Sequence, residues 1–219
     1  MSSKLTRAVR CTVAVAVASL AAVTFAVPAY ADADDGPPSD RITIDVVAIN
    51  GSGCPAGTAD VDVSSDNTEF HVTYHNYVAW VGRGAKPTDF RKNCQIGLQI
   101  HVPQGFTYAI AQAEYNGFAH LVRGATGLQR ANYYFQGSSQ TSSVSHPFAA
   151  PYSDYWQTVD TTDSASLVWA PCGIDRILNV NTELRVRPGA GDTSTSFMTM
   201  DTSDGSIKTI YHFSWRRCW

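Results

Sequence analysis

Between Asn93 and Val102 apolar and polar side chains alternate without a break. Cys94, Ile96, Leu98, Ile100 and Val102 fall on one side, and Asn93, Gln95, Gly97, Gln99 and His101 on the other. A period of two sends successive side chains to opposite faces of an extended chain, so this stretch can bury its apolar set only as a β-strand. The pattern recurs in Phe70/Val72/Tyr74 against Glu69/His71/Thr73/His75, and in Leu178, Val180, Leu184 and Val186 through 176–187. Ile42/Ile44/Val46, Val61/Val63 and Phe106/Tyr108/Ile110 add further strand candidates. A chain that repeats this period has to solve one problem, the burial of one face of each strand, and an antiparallel sheet packed on another sheet solves it.

Composition supports that reading. Beyond residue 31 there are six Leu, three Glu (Glu69, Glu114, Glu183) and three Lys (Lys86, Lys92, Lys208), whereas Val, Thr, Tyr, Phe and Ile abound. Branched and aromatic side chains lose χ1 freedom in a helix and pack well on a pleated surface. Turn residues divide the runs. Pro103-Gln104-Gly105 separates two strong strands, Asn116-Gly117 reads as a two-residue hairpin turn, and Asp204-Gly205 reads the same way between 197–200 and 207–215. The expected fold is an all-β antiparallel sandwich, jelly-roll-like in its strand spacing. Residues 138–166, rich in Ser, Thr and Pro, are expected to form a long loop holding a strand or two.

The N-terminus reads as an export signal, residues 1–31. Lys4, Arg7 and Arg10 precede an apolar run from Cys11 to about Val27, and Ala29-Tyr30-Ala31 supplies the small-x-small cleavage pattern. Residues 32–41 then form a flexible acidic tail, and 42–219 a single domain. Removing the leader takes three bases and no acid, which leaves 13 basic groups against 19 acidic ones, a net charge of −6. That balance argues against nucleic acid, where affinity rests on neutralising phosphates. No second apolar stretch is long enough for a bilayer, so no membrane partner is expected after cleavage.

Four cysteines remain: Cys54, Cys94, Cys172 and Cys218. An even count in an exported chain reads as two disulfides, and three pairings are open. Cys54–Cys94 with Cys172–Cys218 is preferred, because one pair then flanks the early strands and the other brackets the late ones.

No motif announces a reaction. There is no G-x-S-x-G and no Cys pair at zinc spacing. His71 and His75 share a strand face but stand about 13 Å apart, too far to chelate one ion. Asp60-Val-Asp62-Val-Ser-Ser-Asp66 lacks the glycine and the glutamate of a calcium loop. Neither metal nor cofactor is therefore expected, and no catalytic residue is assigned. Glu69 and Glu183 fall on expected solvent faces. The aromatic residues exceed what a small core needs: Trp80, Trp156, Trp169, Trp215 and Trp219, with Tyr133-Tyr134-Phe135, Tyr152 and Tyr155. Most large rings belong in the core; Trp156, in the Ser-rich segment beside Tyr155, is the first choice for an exposed one, and these two residues are the candidate ligand contacts.

Gly51-Ser-Gly-Cys54-Pro55-Ala-Gly57-Thr58, Arg91-Lys-Asn-Cys94, Cys172-Gly173, Leu178-Asn-Val-Asn-Thr-Glu-Leu184 and Trp215-Arg-Arg-Cys218 together resemble the secreted family catalogued as domain of unknown function 4360. The resemblance implies export and paired cysteines, and it carries no catalytic residue over. The leading functional expectation is a non-enzymatic extracellular module, a binder of cell-wall polysaccharide or a structural protein. The alternative is a secreted carbohydrate-active hydrolase using scattered carboxylates. A third reading, an antagonist of a competitor's enzymes, rests on size, export and disulfides.

Overall fold

The computed structural model describes residues 36–200 and 208–218. The leader at 1–31, the turn at Asp204-Gly205 and Trp219 lie outside the described residues. Twelve strands run in chain order: β1 Thr43–Asn50, β2 Ala59–Val63, β3 Glu69–Tyr74, β4 Val78–Val81, β5 Arg91–His101, β6 Phe106–Leu121, β7 Thr126–Phe135, β8 Ser142–Ala149, β9 Tyr152–Thr161, β10 Ile177–Arg187, β11 Ser196–Thr199 and β12 Thr209–Arg217. A single turn of 3-10 helix, Ser164–Ser166, is the helical element among the described residues.

Five strands form one sheet in the order β1-β5-β10-β7-β8. The other seven form the second, ordered β2-β3-β12-β6-β11-β4, with β9 also paired to β6. All pairings are antiparallel. The expected sandwich is therefore the fold, with the alternation of β5 burying Cys94, Ile96, Leu98 and Ile100. Leu178, Val180, Leu184 and Val186 of β10 join them from the same sheet. From the other come Phe70, Val72, Tyr211, Phe213 and Trp215, with Phe70 stacked on Tyr211 at 4.6 Å. Both disulfides follow the preferred pairing, Cys54–Cys94 and Cys172–Cys218. The stretch 138–166 contributes two full strands, β8 and β9, and the 3-10 turn.

Asn67 ties the chain's entry to this core. Its side chain donates to the carbonyls of Pro38 (3.0 Å) and Asp40 (2.9 Å) and accepts from the amide of Ile42 (3.1 Å). The indole of Trp215 donates to its backbone carbonyl at 3.0 Å. Pro38 and Asp40, in the stretch read from sequence as a flexible tail, are thus held by two hydrogen bonds to one buried amide, and Ile42 makes the third.

Asn116-Gly117 is not a turn. Both lie inside β6, a strand of 16 residues paired on both edges, and the reversal to β7 falls at Arg123-Gly124. Local turn chemistry lost to strand pairing because Gly117 meets another demand. A Cβ there would sit 1.9 Å from the Thr199 carbonyl oxygen and 2.4 Å from the Trp156 ring, its cross-strand partner. Gly117→Ala should therefore cost about 3 kcal/mol by overpacking, read as a fall in the denaturant midpoint at unchanged m-value. Gly105→Ala is the control. Its φ of 87° is strained for alanine, but nothing lies within 4 Å, so the loss should stay near 1 kcal/mol. Equal losses at the two positions would refute the steric account.

Between the sheets runs a cluster of buried tyrosines. Tyr115 and Tyr133 share a short hydroxyl–hydroxyl contact. Tyr133 donates to Asp160 Oδ2 at 2.8 Å, and Asp160 Oδ1 lies 2.6 Å from His146 Nε2. Tyr77 meets the Thr182 hydroxyl at 3.1 Å. Tyr74 and Tyr211 complete the cluster without a hydrogen bond of good geometry. Burial pushes the Tyr74 hydroxyl up to about 12 and holds Tyr77, Tyr108, Tyr115, Tyr133 and Tyr211 above their ordinary value, since the phenolate would lose its hydration.

Candidate ligand-binding face

Alternation leaves the outward residues of the seven-stranded sheet in register rows. Trp80 of β4 stands opposite Phe197 of β11, and Phe197 opposite His120 of β6. One row along, Thr199, Phe118 and Tyr155 line up across β11, β6 and β9. The rings touch: Phe197 stacks on Phe118 at 6.0 Å, Phe118 meets Tyr155 edge-on at 5.3 Å, and His120 lies 5.9 Å from Phe197. Four adjacent strands thus carry aromatic side chains on the solvent side, a strip roughly 14 Å across at the usual strand spacing. Tyr155 ends it, 67% exposed.

Beside Tyr155 the sheet opens into a groove of about 460 Å³ lined by Asn116, Gly117, Gln157, Lys208 and Ile210, with the Trp156 indole beneath. Asn116 and Gln157 are cross-strand partners and offer amide donors and acceptors. Asn116 Nδ2 also donates to the Lys208 carbonyl at 3.1 Å.

Further along β6 the face turns from aromatic to ionic. His212 Nε2 lies 3.2 Å from Glu114 Oε1 and its Nδ1 3.1 Å from Glu69 Oε2. Glu69 Oε1 meets His71 Nε2 at 2.8 Å, and Gln112 donates to Glu114 at 2.7 Å. A protonated imidazole here can donate to both carboxylates at once. Among the described residues, no three His, Cys, Asp or Glu side chains converge as metal ligands do. His75, beyond the end of β3, pairs with Asp60 at 2.9 Å.

Of the two expected ligand contacts, Tyr155 is on this face and exposed, while Trp156 is 4% exposed. Residue 156 points inward on β9 and packs on Phe148 of the opposing sheet at 5.3 Å, so its expected exposure is corrected by one step of strand alternation. Trp80 shares the aromatic row, Trp215 is buried, and Trp169 lies under the Arg216 guanidinium at 4.4 Å. Glu183 is likewise corrected. It faces outward, but only 7% of its surface is exposed, since Arg91 and Arg185 close over its two oxygens at 2.5 and 2.6 Å. Phe118, Phe197, His120, Asn116 and Gln157 were missed. Extending the period of two through residue 116 would have shown Glu114, Asn116, Phe118 and His120 on one face.

Fold, cross-links and this surface define a secreted, disulfide-stapled β-sandwich. The chain belongs to the family described as Domain of unknown function (DUF4360), whose model matches residues 40–218. An uncharacterized secreted protein of Arthroderma benhamiae is 33% identical over 184 residues, covering 84% of this chain and 75% of its own. Among solved structures, that of TmCBM61 in complex with beta-1,4-galactotriose aligns over 84% of this chain and 93% of its own, at 9% identity and a TM-score of 0.28. The enzymatically active domain of bacteriophage CBA120 tailspike protein 4 aligns over 78% of this chain and 19% of its own, at 10% identity and a TM-score of 0.25.

Proposed function

We propose that this protein is a non-enzymatic extracellular module that binds neutral cell-wall polysaccharide on the outer face of its seven-stranded sheet. The observation that carries the reading is the aromatic strip Trp80–Phe197–Phe118–Tyr155 ending beside the Asn116/Gln157 groove. Exposed rings in a row suit the apolar faces of successive sugar rings, which stack on them much as other flat apolar surfaces do. Amides beside the strip suit hydroxyl groups, because each amide both donates and accepts. Every strand of the strip is paired into the sheet, with β11 and β6 held on both edges, so little order has to be gained on binding.

Tyr155→Ala is the direct test. Retention on insoluble chitin, cellulose or isolated cell walls should weaken about tenfold, the equivalent of 1.4 kcal/mol. Tyr155→Phe, which keeps the ring, should retain binding. No retention of the unaltered protein on any of these materials, or retention indifferent to Tyr155→Ala, would overturn the proposal.

A further inference from the structure

The five-stranded sheet has an outer face of different chemistry. Across β5, β10 and β7 its outward residues form three polar rows: Arg91–Arg185, then Asn93–Glu183–Arg130, then Gln95–Asn181–Asn132. Arg187 extends the arrangement at the end of β10. Four guanidinium groups therefore share this face with one carboxylate. Glu183 occupies Arg91 and Arg185, and among the described residues no carboxylate pairs with Arg130 or Arg187. Arg130 reaches only the Ser143 hydroxyl, at 3.3 Å. Asp45, the other acid near this face, is at the far corner in a pair with His101 at 2.9 Å.

This cationic field stands on a chain whose formal net charge is −3. The surface is hollowed here. One depression of about 260 Å³ is lined by Arg91, Gln95, Arg130, Asn132, Asn181 and the Glu183 carboxylate that Arg91 and Arg185 neutralise, and a second is bordered by Arg185 and Arg187. Two polar atoms inside this region have no partner although they are shielded from solvent, the Asn181 Oδ1 acceptor and the Arg185 Nε donor. Buried polar atoms are nearly always paired, so two orphans in one region point to a partner that the protein's own side chains do not supply.

We infer that this second face binds an acidic polysaccharide, one whose sugar rings bear carboxylates. Arg130 and Arg187 take the carboxylates, with the paired donors that suit a planar anion. The amide row Gln95–Asn181–Asn132 takes the ring hydroxyls. A polymer bearing charge alone would use the arginines and leave the amides idle. A neutral one would leave two guanidiniums uncompensated. The site is on the opposite sheet from the aromatic strip and does not depend on it, so one molecule could tie a neutral chain to an acidic one.

The experiment uses the secreted protein and polygalacturonate, with fully methyl-esterified polygalacturonate as the uncharged counterpart. Binding to the acid form and none to the ester is expected, with Arg130→Gln/Arg187→Gln weakening it about tenfold or more. Asn181→Leu, which keeps every charge, should also weaken it. Arg83→Gln/Arg123→Gln removes equal charge from exposed loop positions and should leave binding unchanged, as should Tyr155→Ala. Four results would each overturn the inference: no binding to polygalacturonate, equal loss in the Arg83/Arg123 variant, full binding by Asn181→Leu, or equal affinity for DNA.

Discussion

Raising the pH past 10 should unfold this domain in one cooperative step. Tyr74, Tyr77, Tyr108, Tyr115, Tyr133 and Tyr211 are buried, and their hydroxyls hold their protons above the ordinary tyrosine range. The unfolded chain releases those protons near pH 10, while the folded one keeps them. Above that point the folded state binds more protons, so its stability falls as pH rises. The contribution is fully present below pH 10 and is lost through the window between the unfolded and folded values. At pH 11 each hydroxyl removes about 1.4 kcal/mol, and six together remove roughly 8 kcal/mol, comparable to the whole stability of a typical domain. Circular dichroism and the tyrosinate absorbance of the buried side chains should therefore change together. Tyr211→Phe removes one of these buried hydroxyls and should move the midpoint to higher pH. Six tyrosines titrating near pH 10 with the sheet signal intact would contradict this account.

Removing the first disulfide should have the next largest effect. Cys54–Cys94 closes a separation of 40 residues, for which loop entropy assigns about 4 kcal/mol. Both half-cystines are completely buried, Cys54 in the segment that carries the chain from β1 of one sheet to β2 of the other and Cys94 on β5. Gly53 packs its α-carbon against the ring of Tyr77, where a Cβ would lie 2.2 Å away. Cys54→Ala/Cys94→Ala therefore loses packing as well as the cross-link. The Cys172–Cys218 pair spans 46 residues, but Cys172 is exposed in its loop. Its removal should cost only the entropic share. Denaturant melts of the two double variants test the order, which a greater loss from Cys172→Ala/Cys218→Ala would reverse.

Strand β5 was legible because both of its neighbours, β1 and β10, also pair in alternation, so local pattern and tertiary environment agree. The cysteine framework was legible for a similar reason. An exported chain with four cysteines has few covalent options, and strand order favours one of them. Strand β6 shows where such reading stops. Asn116-Gly117 has the backbone freedom of a hairpin turn, and nothing within ten residues says that β9, β11 and β12 will flank it. Reading a turn there hid Phe118 and His120 from the face they share with Glu114 and Asn116. For Trp156 and Tyr155, adjacent in sequence, only the pairing register decided which ring is in solvent.

The amino-acid sequence alone determined an all-β, disulfide-linked chain, because side-chain period and cysteine count act over a few residues and need no partner. Tertiary structure decided the rest. Trp80, Phe197, Phe118 and Tyr155 come from four strands spread over 118 residues of chain, and Arg91, Arg130 and Arg187 from three strands of the other sheet. A sheet brings such positions together through its register, and register is a property of paired strands that no single strand carries.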